Sequence, residues 1–404
     1  MRRIVITGMG GICALGHNTS DIWQAMTEGR SGIGPVHHID AKYLRNNAIA
    51  AEISDFDPLA YIDEARVPFL DPLSQYALVA AGEAIRQSGL DFRGERTTRT
   101  AIVVGVGSAG EETREGLYRQ LYAEQASRFH PLGIVRIMSN APASHISMVH
   151  GITGPTFVVS SACASSNHAF AQAAMMIRAG LVDAAITGGT EACITLGVLR
   201  AWEAMRVLAP DTCRPFSANR RGMVLGEGSG MFVLETLESA QARGATILAE
   251  LAGVGMSADA GDIAAPSDVG AAAAMRMALQ DAGMQPDDVD YINAHGTGTV
   301  ANDCTETRAI HQVFGEHARR LAVTSTKPMH GHALGAAGAL EMIAVLGALR
   351  DGVVPPTLNY LGPDPACDLD YVPHEARAMK VRAALSNSFA FGGLNAVVAL
   401  RQAP

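Results

Sequence analysis

The sequence predicts an α/β fold with a pseudo-duplicated architecture, on three observations. Short apolar runs of β type alternate with longer helical stretches along all 404 residues. That is the rhythm of sheets covered on both faces by helices. Glycine is abundant, at 42 residues, whereas aromatics make up only 5%. Close-packed layers of helix on sheet fit this composition better than an aromatic-rich sandwich. The order strand, helix, strand, glycine loop also runs twice, with a break near Gln241-Ala242-Arg243-Gly244-Ala245. Two halves are expected, 1–245 and 246–404, although no short repeat is visible.

The elements follow in order. Residues 3–8 form a first strand, with an apolar run too short for a secretory signal. Asn18, Thr19 and Ser20 precede Ile22-Trp23-Gln24-Ala25-Met26 and mark a helix start. Residues 56–70 fit the rhythm poorly and read as a surface insertion. Residues 74–87 have helical periodicity and stop at Ser88-Gly89. Strands are expected at 101–105, 156–160, 184–187 and 230–235, with a second insertion over 111–141. In the second half they fall at 247–254, 291–294, 322–324, 383–386 and 396–400. The longest apolar stretch, 333–349, is interrupted by Glu341. A membrane span needs ~20 apolar residues, so a buried helix is expected there and no transmembrane segment.

Charge and cysteine usage exclude several functions. A net charge of −9 argues against a general nucleic-acid binder. The six cysteines are scattered without a CxxC pair. This disfavours a disulfide scaffold or zinc site and points to a reducing cytoplasm.

The segment Val158-Val159-Ser160-Ser161-Ala162-Cys163-Ala164-Ser165-Ser166 carries the first chemical signal. An apolar run ends at small residues and a helix-like run follows, the setting of a nucleophile elbow. A helix N-terminus beside the sulfur favours thiolate. A lone cysteine is more often a buried small hydrophobe. Two downstream histidines shift that balance. His295 follows a strand in Asn293-Ala294-His295-Gly296-Thr297-Gly298-Thr299. His332 lies between a strand and a helix in Lys327-Pro328-Met329-His330-Gly331-His332-Ala333-Leu334-Gly335. Both occupy glycine-lined turns, where active-site loops of α/β folds sit. His330 is read as structural or at the surface. Ser386-Asn387-Ser388-Phe389-Ala390-Phe391-Gly392-Gly393 offers backbone N–H groups to an oxyanion.

Together these motifs resemble the β-ketoacyl-acyl-carrier-protein synthases of the thiolase superfamily, and within them the second type. The resemblance covers the whole chain, from VITGMG through SSACASS, AHGTGT and STKPMHGHALGAAG to SNSFAFGG. The stretch 201–217 and the segments Ala301-Asn302-Asp303 and Gly352-Val353-Val354-Pro355-Pro356-Thr357 resemble the NodE-type nodulation synthases. The resemblance implies a thiolase-like fold of five layers, α-β-α-β-α, and a decarboxylative Claisen condensation that extends an acyl chain by two carbons. It implies Cys163 as nucleophile, His295 and His332 as partners of the malonyl thioester, and an oxyanion hole from the N–H groups of Cys163 and Phe391. It implies Lys327 as an electrostatic organiser, expected to pair with Glu306. Ser108, Met223, Phe389 and Phe391 would line or gate the acyl pocket. Asn293, Glu341, Ser386 and Asn387 match a monovalent-cation site of related enzymes; a hydrogen-bonded or protonated Glu341 is the equal alternative. No metal or redox cofactor is needed for the chemistry. The implied partner is acyl carrier protein, met through Arg66, Arg128, Arg136 and Arg206 or through another subunit, and the implied assembly is a homodimer. A thiolase using coenzyme A would bring a second cysteine in the C-terminal glycine loop, which 388–391 lacks. A non-catalytic chain-length factor would lack the nucleophile that Cys163 provides.

Overall fold

The computed structural model describes residues 2–44 and 48–404. Ten strands form one mixed sheet. In chain order they are β1 (Ile4–Cys13), β2 (Thr100–Gly105), β3 (Thr156–Val159), β4 (Ala184–Glu191) and β5 (Gly228–Thr236). The second half adds β6 (Ala249–Ala258), β7 (Tyr291–Asn293), β8 (Ala322–Thr324), β9 (Ala383–Ala390) and β10 (Leu394–Gln402). The sheet order is β8-β7-β9-β10-β6-β1-β5-β4-β2-β3. Each half therefore has the order third, second, fourth, fifth, first. The strand directions repeat as well. In each half the second strand runs parallel to the third and fourth, while the fifth is antiparallel to the fourth and first. The half-sheets join where β1 meets β6, through the pairs Ile4↔Leu251, Val5↔Glu250 and Ile6↔Ala249.

Five helices fix the layers: α1 (Pro72–Ser88), α2 (Ser165–Arg178), α3 (Asp268–Ala282), α4 (Val300–Phe314) and α5 (Ala337–Asp351). Helix α1 covers one outer face and α3 with α4 the other, while α2 and α5 lie between the half-sheets and touch both. The result is α-β-α-β-α. Sequence signals set the helix ends. Asp71 accepts from Leu73 N–H ahead of Pro72, and Gly89 closes α1 at φ 61°. Ser267 and Thr299 cap α3 and α4 in the same manner. Every residue of α5 from Ala337 to Leu349 is buried, as a central helix requires.

Strand β1 runs on to Cys13, past the residue 8 at which the sequence reading ends it. Its glycines serve close packing rather than a turn. A Cβ on Gly10 would sit 2.0 Å from Ala80 O of α1. The 111–141 insertion holds two short helices, Glu111–Tyr122 and Gly133–Ile137, and leaves Tyr118, Leu121, Tyr122 and Ile134 exposed. Among the described residues no helix is long and apolar enough to cross a membrane.

Burial leaves one carboxyl outside the active site open to a pH test. Glu227 is pushed up from 4.5 to about 7, chiefly by desolvation, although Ile53 N–H donates to it. In the fold it keeps a proton that the unfolded chain has released. Its stabilising contribution is complete below about 4.5 and is lost as the pH rises through about 7. Glu227→Gln removes that dependence. Buried histidines act in the opposite sense but are common to both proteins. The Tm of the variant should therefore gain on that of the parent by a few degrees between about pH 5 and pH 8. A constant gap in thermal unfolding scans would contradict this.

Candidate active site

The elbow is built from small residues between β3 and α2. Ala162 adopts φ 49°, a left-handed conformation costly for a side chain, and Cys163 follows it. Ser165 locks the turn, its Oγ accepting from Ser161 N–H and donating to Ala162 O. The end of β2 must approach the start of α2 closely. A Cβ on Gly105 would lie 2.5 Å from the backbone of Ser165 and Ser166.

Three loops converge on the sulfur. His332 Nε2 lies 3.2 Å from Cys163 Sγ. The His295 and His332 rings meet edge to face with centroids 5.3 Å apart. All three side chains place a ligating atom within 4.8 Å of the others and are buried. Burial pushes the Cys163 thiol up to about 12, with Lys327 pulling it down. The thiolate expected from the helix N-terminus is thus not the resting form, because desolvation of the anion dominates. Both histidines are held well below their usual range by burial, then by the Lys327 charge. The resting site is a neutral thiol beside neutral imidazoles.

Lys327 is fully buried. Its ammonium bonds the His295 carbonyl and the Glu341 carboxylate of α5. The expected pairing with Glu306 is corrected here. The Glu306 oxygens instead accept from His295 N–H and Gly296 N–H, each at 2.9 Å, and from Asn387 Nδ2 at 3.1 Å. The reason is position. Glu306 faces the backbone turn beside α4, whereas Lys327 reaches toward α5. The two carboxylates therefore hold the His295 loop from two sides, one directly and one through Lys327. His330 is buried, not at the surface, and bonds Thr326 Oγ1 at 2.8 Å.

An apolar cavity opens beside Cys163, His295 and His332 and is lined by Met223, Phe389 and Phe391. Met205, Val207, Ile263 and Thr297 also line it, and only the subgroup resemblance had drawn attention to the first two. The Phe391 ring lies 5.7 Å from that of Trp202. Gly392 and Gly393, at φ 82° and 69°, close the hairpin that carries Phe391.

Ser108 does not line this cavity. Its Oγ is 2.5 Å from Glu191 Oε1. Glu191, at the end of β4, also accepts from the N–H groups of Gly107 and Gly335, each at 2.9 Å. It ties the β2 loop to the loop that carries His332. Sequence reading missed it, although a carboxylate after the small-residue run Thr187-Gly188-Gly189-Thr190 was a visible signal.

The cation candidates divide by sheet face. Asn293 and Ser386 are register partners on β7 and β9, and α5 with Glu341 packs against these strands. Asn293 Oδ1, Ser386 Oγ and Glu341 Oε2 are buried and have no hydrogen-bond partner among the described residues. Asn387, the next residue on β9, turns its amide to Glu306 and Met275 instead. Period-two alternation places it on the opposite face. The orphaned oxygens of Asn293, Ser386 and Glu341 fit a monovalent cation, whereas Asn387 Oδ1, also buried without a partner among the described residues, lies on the other face.

Two family models match the chain: "Beta-ketoacyl synthase, N-terminal domain" over residues 1–240 and "Beta-ketoacyl synthase, C-terminal domain" over 248–361. Nodulation protein E of Rhizobium sp. (strain N33) is 53% identical, over 99% of both chains. The 3-oxoacyl-[acyl-carrier-protein] synthase 2 of Coxiella burnetii is 42% identical, over 99% of this chain and 98% of its own. A solved complex of a type II PKS acyl-carrier protein with its ketosynthase bound to the hexaketide contains a chain that is 29% identical and superposes with a TM-score of 0.90, over 100% of both chains.

Proposed function

The chain belongs to the β-ketoacyl synthase family, and we propose that Cys163, His295 and His332 carry the condensation that this family performs. The enzyme is a β-ketoacyl-acyl-carrier-protein synthase that extends an acyl chain by decarboxylative Claisen condensation. The observation that carries the residue assignment is the approach of His332 Nε2 to Cys163 Sγ with His295 edge-on beside it.

The steps follow from this geometry. Cys163 Sγ attacks the acyl thioester; the carrier thiolate leaves and takes up the thiol proton. Splitting the transfer in this way is covalent catalysis. The N–H groups of Cys163 and Phe391 receive the oxyanion. Each such donor is worth roughly 3 kcal/mol in comparable sites. Malonyl carrier then places its thioester carbonyl against His295 and His332. Loss of CO₂ leaves the electron pair as an enolate, to which the two neutral imidazoles donate. The enolate carbon attacks the acyl carbon, and the Cys163 thiolate departs and is reprotonated. Lys327 positions the His295 loop. Asn293, Ser386 and Glu341 would hold a monovalent cation, whose charge would steady this buried carboxylate.

The partner is acyl carrier protein, and the enzyme works in the cytoplasm. Arg206 and Arg128 are exposed, and Arg206 stands between the cavity-lining Met205 and Val207 at the mouth. A homodimer is supported by β3, a half-buried edge strand, together with the exposed apolar residues of 111–141. The halves 1–245 and 246–404 are its two structural units, a division supported by the repeated strand order.

Incubation with an acyl carrier and malonyl carrier should yield β-ketoacyl carrier two carbons longer, read by mass spectrometry of the carrier. Absence of elongation with every acyl carrier across a range of chain lengths would refute the proposal.

A further inference from the structure

One cysteine pair outside the reaction is brought together by the fold. Cys304 is partly exposed on α4, and Cys367 is buried in the segment that follows Asp364. The two sulfurs and a carboxylate oxygen of Asp364 lie within 4.8 Å of one another. This is a donor set for a metal, but a cation already stands in it. Arg220 Nη2 is 3.0 Å from Cys304 Sγ, and Nη1 donates to Asp364 Oδ2 at 2.6 Å. The Arg220 side chain is only 1% exposed. A divalent ion would have to share this space with a fixed guanidinium. Cys304 is the thiol that solvent reaches, and Cys367 lies behind it.

We propose that Cys304 and Cys367 form a reversible disulfide driven by hydrogen peroxide. The Cys304 sulfur attacks a peroxide oxygen; the O–O bond breaks, and the hydroxide that leaves takes up the Cys304 proton as water, giving a sulfenic acid. The Cys367 sulfur attacks that sulfur; the S–O bond breaks and water leaves with the Cys367 proton. Two thiols lose two electrons in total, and the peroxide becomes two waters. The sulfurs must close to ~2.05 Å, so the bond draws the first turns of α4 toward residues 364–367. Those turns hold the active-site loop. Asp303 accepts from Phe216 N–H at 2.8 Å and Gly298 N–H at 3.3 Å, and Glu306 holds His295 and Gly296. A transient bond here is the form that disulfides take in a reducing compartment.

The test uses the full chain carrying Cys163→Ala, which removes oxidation of the nucleophile and makes the readout independent of condensation. The protein is treated with hydrogen peroxide, alkylated, digested without reduction and analysed by mass spectrometry. A peptide pair linked through Cys304 and Cys367 should appear, revert with dithiothreitol, and be absent after Cys304→Ser. Cys367→Ser, or Cys367→Ala if the serine variant does not fold, should also abolish it. Full alkylation of both cysteines after peroxide overturns the proposal. So does Cys304 sulfinic acid alongside alkylated Cys367.

Discussion

Cys163→Ala is expected to lower chain elongation by at least about a thousandfold, because it removes the atom proposed to carry the acyl group. No other cysteine can substitute. Cys13, Cys193, Cys213 and Cys367 are buried, and the partly exposed Cys304 lies on α4 beside Arg220. None of them lines the cavity with the two histidines. The fold should survive the change, since alanine keeps the small volume that the elbow at Ala162 requires. Mass spectrometry of the protein after incubation with acyl carrier should show a single adduct in the parent, at Cys163, and none in the variant. Cys163→Gln separates the half-reactions further. Its amide imitates an acylated cysteine in shape and should retain malonyl decarboxylation while elongation is lost. Full elongation by Cys163→Ala would overturn the mechanism.

The parts of this site that were legible in the sequence are those fixed by local chain geometry. A strand that ends in small residues and turns into a helix announces Cys163. Glycines after β7 and before α5 announce the loops of His295 and His332. The order of elements also announced the duplication, and the structure gives it a physical form in the repeated strand order. What the sequence did not show are pairings set by packing between distant elements. Lys327 and Glu306 belong to adjacent motifs, yet the lysine bonds Glu341 on the central helix. Ser108 sits on a loop near the site, yet Glu191 from another strand claims its hydroxyl. The Cys163 thiol follows the same logic. The helix start is visible in the sequence, but the burial that outweighs it comes from the cavity walls of both halves.

His332→Ala and His295→Ala should each lower malonyl decarboxylation by about a hundredfold to a thousandfold, the usual effect of losing one donor to a developing oxyanion. Acyl loading should fall much less, because Cys163 and the backbone N–H groups remain. Separate assays of the two half-reactions would check this, and normal decarboxylation by both variants would overturn the roles. The pH dependence supplies an independent reading. Both imidazoles are held far below their usual range, first by burial and then by the Lys327 ammonium. They remain neutral donors through mildly acidic pH, so decarboxylation should show no acidic limb near 6.5. Lys327→Ala removes the charge that disfavours imidazolium and the ammonium that pairs with Glu341. An inward shift of the acidic limb toward 6.5, accompanying a lower maximal rate, is the expected signature. A lower rate with an unmoved limb would mean that Lys327 acts only by holding the His295 carbonyl, and not through its field on the histidines.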